Sequence, residues 1–125
     1  MGKALGIDYG TKRTGIAITD DMQIIASGLT TVATHSLDDF IADIVLKEDI
    51  DCFVVGDPKN LDGTNTDSTG HVNGFVKRLQ KLYPAILVHQ MDERFTTKIH
   101  SLYSNTRVDS AAALVNLETY IKNHE

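Results

Sequence analysis

Cysteine occurs once in the 125 residues, so no internal disulfide can form. Cys52 lies within the apolar run Cys52-Phe53-Val54-Val55 and reads as a buried, inert thiol. Proline occurs twice, and no repeat, low-complexity tract or linker divides the chain. No apolar run nears the roughly 20 residues that cross a bilayer, and no cationic, apolar leader opens the sequence, so a cytoplasmic location without a membrane partner is expected. Basic residues are the minority: 12 Lys and Arg face 17 Asp and Glu, a net charge of -5. That balance argues against a protein that coats nucleic acid non-specifically, but it leaves room for local cations around a site. The histidines, at positions 35, 71, 89, 100 and 124, include no pair with zinc-protease spacing and are read as non-ligands.

The length allows a single domain, residues 1–125, with a sizeable core. Ala4, Leu5 and Ile7 predict a short buried strand, and residues 14–18 predict its antiparallel neighbour across a turn eased by Gly10 and Gly15. After Asp20-Asp21, residues 23–32 predict a third strand of the same meander. Ser36-Leu37-Asp38-Asp39 then reads as a capping box opening a helix whose Leu37, Phe40, Ile41, Ile44 and Val45 recur at helical spacing. Residues 52–55 are uniformly apolar, as a central strand covered on both faces requires. A loop rich in turn residues follows from Gly56, and a second helix is expected over residues 68–82, with Val72, Phe75, Val76, Leu79 and Leu82 on one face. Pro84 ends it. Residues 85–88 predict another strand, and two helices, after Phe95 and over residues 109–122, complete the chain. Crossover connections bring the later strands in parallel. The fold expected is therefore α/β: a five-stranded mixed sheet, three antiparallel strands and then parallel crossovers, with helices on both faces.

Three carboxylates fall at related places in this plan. Asp8 closes the first strand, Glu93 follows the last strand, and Asp109 opens the last helix. A carboxylate in an apolar strand is costly to bury unless paired or bound to a cation. Convergence of several is what Mg²⁺ or Mn²⁺ requires, since hard cations take oxygen ligands and paired ions can support phosphodiester hydrolysis. Each also has a local reading. Asp8 could cap its own turn, Asp109 could be a helix N-cap, Glu93 could pair with Arg94 or Lys98, and Asp92 could be the ligand in its place.

These segments resemble the YqgF family of Holliday junction resolvases and pre-ribosomal RNA nucleases, within the ribonuclease H-like superfamily. The opening Gly6-Ile7-Asp8-Tyr9-Gly10-Thr11-Lys12-Arg13, the central stretch from Val54-Val55-Gly56 to Asp62-Gly63-Thr64, Asp92-Glu93-Arg94, and Val108-Asp109 before an alanine-rich helix carry the likeness in order. The resemblance implies a ribonuclease H-like fold and a metal-dependent nuclease whose Mg²⁺ or Mn²⁺ is held by Asp8, Glu93 and Asp109. Two departures stand out. Gly56 occupies a place where the superfamily has a carboxylate, leaving the neighbouring Asp57 as a reserve ligand, and the segment before Asp109 holds one cation, Arg107, where family members often carry a longer basic stretch.

The expected activity is hydrolysis of phosphodiester bonds in nucleic acid, in 5′-end maturation of the 16S rRNA precursor or, alternatively, in resolving branched DNA. Lys12, Arg13, Arg94 and Arg107 are the expected substrate contacts, with arginine suited to bidentate pairing with phosphate. Trimming RNA needs only a monomer, whereas cutting a junction symmetrically favours a homodimer. The other readings are a nucleic-acid-binding module with weakened catalysis and, from the likeness of Asp-Tyr-Gly-Thr to the phosphate hairpin of the actin and hexokinase superfamily, an ATP-binding domain of related topology.

Overall fold

The computed structural model describes residues 2–57, 69–92, 113 and 117–121. Its elements run β1 (Lys3–Asp8), β2 (Arg13–Thr19), β3 (Ala26–Ala33), a 3-10 turn (Thr34–Ser36), α1 (Leu37–Lys47), β4 (Ile50–Asp57), α2 (Thr69–Leu82) and β5 (Leu87–Asp92). Residues 113 and 117–121 belong to a final helix. One sheet joins the strands in the order β3-β2-β1-β4-β5. The pairs β1–β2 and β2–β3 are antiparallel, whereas β1–β4 and β4–β5 are parallel. The mixed sheet expected from the meander and its crossovers is the one observed, and β1 is its middle strand.

Strand alternation sends successive side chains to opposite faces, and two cores result. Leu5 and Ile7 of β1, with Phe53 and Val55 of β4, meet Leu37, Ile41 and Ile44 of α1 and Val72, Phe75, Val76 and Leu79 of α2. On the other face Ala4, Ala17, Cys52 and Val54 meet Ala113, Leu117 and Tyr120 of the final helix. The small residues of that second face let the helix come close. A Cβ added to Gly6 would lie 2.6 Å from Leu117 Cγ and 3.0 Å from the Ala113 carbonyl oxygen.

Several local expectations are corrected. Ser36 does not cap α1 with its side chain: the chain enters through the 3-10 turn, leaving Ser36 at φ -104°, ψ 2° rather than in the extended conformation an N-cap uses. Its hydroxyl lies 3.2 Å from His35 Nδ1. β3 begins at Ala26, not residue 23, because the Asp20 carboxylate accepts the N–H groups of Ile24 and Ile25 at 2.8 and 3.0 Å and holds them in a turn. Leu82, expected on the buried face of α2, is 55% exposed. Tyr83 packs on that core instead, with its ring 5.8 Å from that of Phe53. β5 starts at Leu87, two residues late, because Ile86 N–H donates to Tyr83 O in a turn, and it continues to Asp92 as an edge strand.

Candidate functional site

The parallel strands β1, β4 and β5 all end at one edge of the sheet, so their last residues, Asp8, Asp57 and Asp92, share that edge. Ile7 pairs with Val55, and Asp57 with Asp92, which fixes the relative height of the three ends. Asp8 is half-buried at the end of the middle strand and lies opposite Gly15 of β2. By alternation it shares the face of Ala4 and Gly6, where the final helix packs. Its neighbour Tyr9 turns the other way and stacks on Phe75 of α2, with ring centroids 4.8 Å apart.

The turn after Asp8 is tightly tied. A Cβ at Gly10 would collide with the Arg13 carbonyl oxygen, so only glycine fits there. Gly10 N–H donates to Thr14 Oγ1 at 3.5 Å, Thr34 Oγ1 donates to the Gly10 carbonyl at 2.6 Å, and the two threonine hydroxyls lie 2.9 Å apart. Thr34 N–H also donates to the Lys12 carbonyl at 2.9 Å. Thr14 is fully buried. The side chains of Lys12 and Arg13, by contrast, are exposed on this turn at the Asp8 end of the sheet. The two threonines were not singled out from the sequence, because nothing in a strand residue and a residue 20 positions later announces that they meet.

Of the predicted site residues, Asp8, Lys12 and Arg13 are thus brought to one end of the sheet. Glu93, Arg94, Asp109 and Arg107 lie outside the described residues, and of Asp57 only the backbone is described. Among the described residues no three His, Cys, Asp or Glu side chains form a metal-holding group. Asp8 itself suits a hard cation: a carboxylate at a strand end, offering oxygen donors at the rim of the sheet rather than deep in its core.

A middle strand paired antiparallel with β2 on one side and parallel with β4 on the other, helices on both faces, and an acidic residue at the end of that strand define the ribonuclease H-like class of folds. A solved structure titled "T. thermophilus RuvC in complex with Holliday junction substrate" has the same fold, with a TM-score of 0.65 at 12% identity over 98% of this chain and 96% of that one. The profile of the RuvX family, described as Holliday junction resolvase, matches residues 2–123, and the chain belongs to that family. Curated relatives named "Putative pre-16S rRNA nuclease" include one from Flavobacterium johnsoniae, 50% identical over 79% of this chain and 72% of its own length. Others are from Phocaeicola vulgatus, 40% identical over 98% of this chain and 96% of its own, and Porphyromonas gingivalis, 36% identical over 98% of each. The chain is accordingly a nuclease, a hydrolase that acts on nucleic acid. Among the described residues no helix is long and apolar enough to cross a membrane.

Proposed function

We propose that residues 1–125 act as one cytoplasmic nuclease domain that hydrolyses phosphodiester bonds of the 16S rRNA precursor, using Mg²⁺ or Mn²⁺ held by Asp8, Glu93 and Asp109. The observation that carries this reading is the direction of the final helix. Leu117 and Ala113 lie against Gly6, whereas Tyr120 lies against Cys52, the register partner of Ala4, so the helix runs antiparallel to β1. Its upstream end therefore points toward Asp8. Four helical residues, from 113 back to 109, span about 6 Å, and the two strand residues from Gly6 to Asp8 span about 6.6 Å. One further turn of the same helix would bring Asp109 level with Asp8, on the face that meets the sheet.

Strand parity supports Glu93 as the third ligand. His89 and Met91 of β5 belong to the final-helix face, where the His89 ring lies 5.0 Å from that of Tyr120, while Gln90 reaches Asn73 of α2 on the opposite face. In sequence parity position 93 matches His89 and Met91, and position 92 does not. By the same count Gly56 follows Cys52 and Val54 on that face, so Asp57 is one position out of step.

When bound, the cation supplies positive charge that offsets the clustered carboxylates and the charge developing on the cleaved phosphate. Asp8 would hold it through a carboxylate oxygen. Lys12 and Arg13, exposed on the turn after Asp8, bind substrate phosphates together with Arg94 and Arg107. Cleavage of labelled 16S precursor RNA with Mg²⁺ or Mn²⁺ tests the reading against Asp8→Asn, which keeps the shape and removes the charge. We expect a loss of about 100-fold or more, the scale on which removing one charge-stabilising group slows a hydrolytic site. Equal rates for both proteins would refute the role of Asp8.

Branched DNA is the second reading. It draws support from the description of the family and from the fold shared with a resolvase bound to a junction. A four-way DNA junction run beside the RNA, with solution mass measured in each case, separates the two. Symmetric junction cutting by a dimer favours DNA, and RNA trimming by a monomer favours the precursor.

A further inference from the structure

The hydroxyls of Thr14 and Thr34 leave one ambiguity, which donor counting removes. A threonine hydroxyl has a single proton to donate. That of Thr34 is committed to the Gly10 carbonyl, 2.6 Å away, because a carbonyl can only accept. In the 2.9 Å contact between the two hydroxyls Thr34 therefore accepts and Thr14 donates. Thr14 Oγ1 in turn accepts the Gly10 N–H at 3.5 Å. The bonds close a ring that runs from Gly10 N–H to Thr14, from Thr14 to Thr34, and from Thr34 back to the Gly10 carbonyl. Every member points the same way round, so the bonds polarise one another. A fourth bond, from Thr34 N–H to the Lys12 carbonyl, ties the same residue to the far side of the turn.

We propose that Thr34, at the junction of β3 and α1, is a positioning residue for the nuclease site: through this ring it fixes the turn after Asp8 and so the phosphate-binding Lys12 and Arg13. The proposal rests on the nuclease reading given above. Among the described residues, contacts from several other elements hold the turn. Tyr9 stacks on Phe75 of α2, Thr14 of β2 sits under Gly10, and Thr34 bridges Gly10 and Lys12. Thr34 reaches the turn from a distant element and binds the carbonyls of both Gly10 and Lys12. An unconstrained turn would have to be ordered at each binding event, at a cost to affinity that a preorganised one avoids.

Thr34→Val keeps the shape and loses both side-chain bonds, and Thr34→Ser restores the hydroxyl. Cleavage kinetics on the labelled RNA and the junction, and amide hydrogen exchange without substrate, are compared for these and the unaltered chain. For Thr34→Val we expect a KM about tenfold higher with kcat within about threefold, a shallower salt dependence, and Gly10 amide exchange about tenfold faster while Val54 is unchanged. Thr34→Ser should return each value to within about twofold of the original. A merely structural role would instead lower the active fraction, reducing apparent kcat and leaving KM alone. Unchanged Gly10 exchange in Thr34→Val, or a serine variant that fails to restore it, overturns the ring. Faster exchange with unchanged KM overturns the positioning role, and an unaltered chain that cuts neither substrate overturns the underlying nuclease reading.

Discussion

The Cys52 thiol donates to the Tyr120 hydroxyl at 3.6 Å beneath the final helix, and burial there changes the acidity of both groups. Desolvation, reinforced by the Cys52 contact, pushes the Tyr120 phenol up to about 12 from 10.0. Burial also pushes the thiol above 9.0. Both groups are neutral when protonated and ionise more readily in the unfolded chain, so their contribution to stability is full below their ordinary values and is lost as pH rises toward the folded ones. We therefore expect the melting temperature to fall with pH from about 9 upward. Tyr120→Phe should flatten the part of that decline between about 10 and 12, as followed by circular dichroism at stepped pH. The buried character of Cys52 was legible in its apolar run. Its pairing with Tyr120 was not, because the two residues are 68 positions apart and only the packing of the final helix on β4 joins them. Asp8 stood out for a different reason: an acidic residue ending an apolar strand conflicts with burial, and the structure leaves it half-buried at the end of that strand.

Helical periodicity located α1 and α2 because burial follows spacing directly. Leu37, Ile41 and Ile44, and likewise Val72, Phe75, Val76 and Leu79, are buried as that spacing requires. Expectations at element ends fared worse. Whether Ser36 could cap α1 depended on the 3-10 turn before it, and whether Leu82 was buried depended on Tyr83 reaching the core. Gly6 is the position where one methyl group tests the joint between elements. Gly6→Ala would drive a Cβ into Leu117 and the Ala113 carbonyl and push the final helix off β1. Urea unfolding should show a loss of about 1–3 kcal/mol, the usual cost of overpacking. Cleavage should fall beyond what the folded fraction explains, since Asp109 is proposed to ride on that helix.

At the scale of the whole molecule, if Asp8, Glu93 and Asp109 converge as proposed, their charges repel one another until a cation neutralises them. Mg²⁺ should accordingly raise the melting temperature. At ten times the dissociation constant the gain is about 1.4 kcal/mol, provided the unfolded chain binds no metal. Calorimetric melting with and without Mg²⁺ should show the increase in the unaltered chain and little of it in Asp8→Asn, and an equal gain in both would place the ion elsewhere. With net charge -5 and a single cation, Arg107, in the segment just before Asp109, substrate affinity should also depend less steeply on salt than in a strongly basic nuclease. The sequence by itself determined the order of the described elements, the mixed sheet and the awkwardness of Asp8, because these follow from local spacing, crossover handedness and the cost of burying charge. Only the tertiary structure decided that β1 is the middle strand, that Asp8 shares a face with the final helix, and that Thr34 closes a ring around Gly10. Those are contacts between distant parts of the chain, set by how the layers pack.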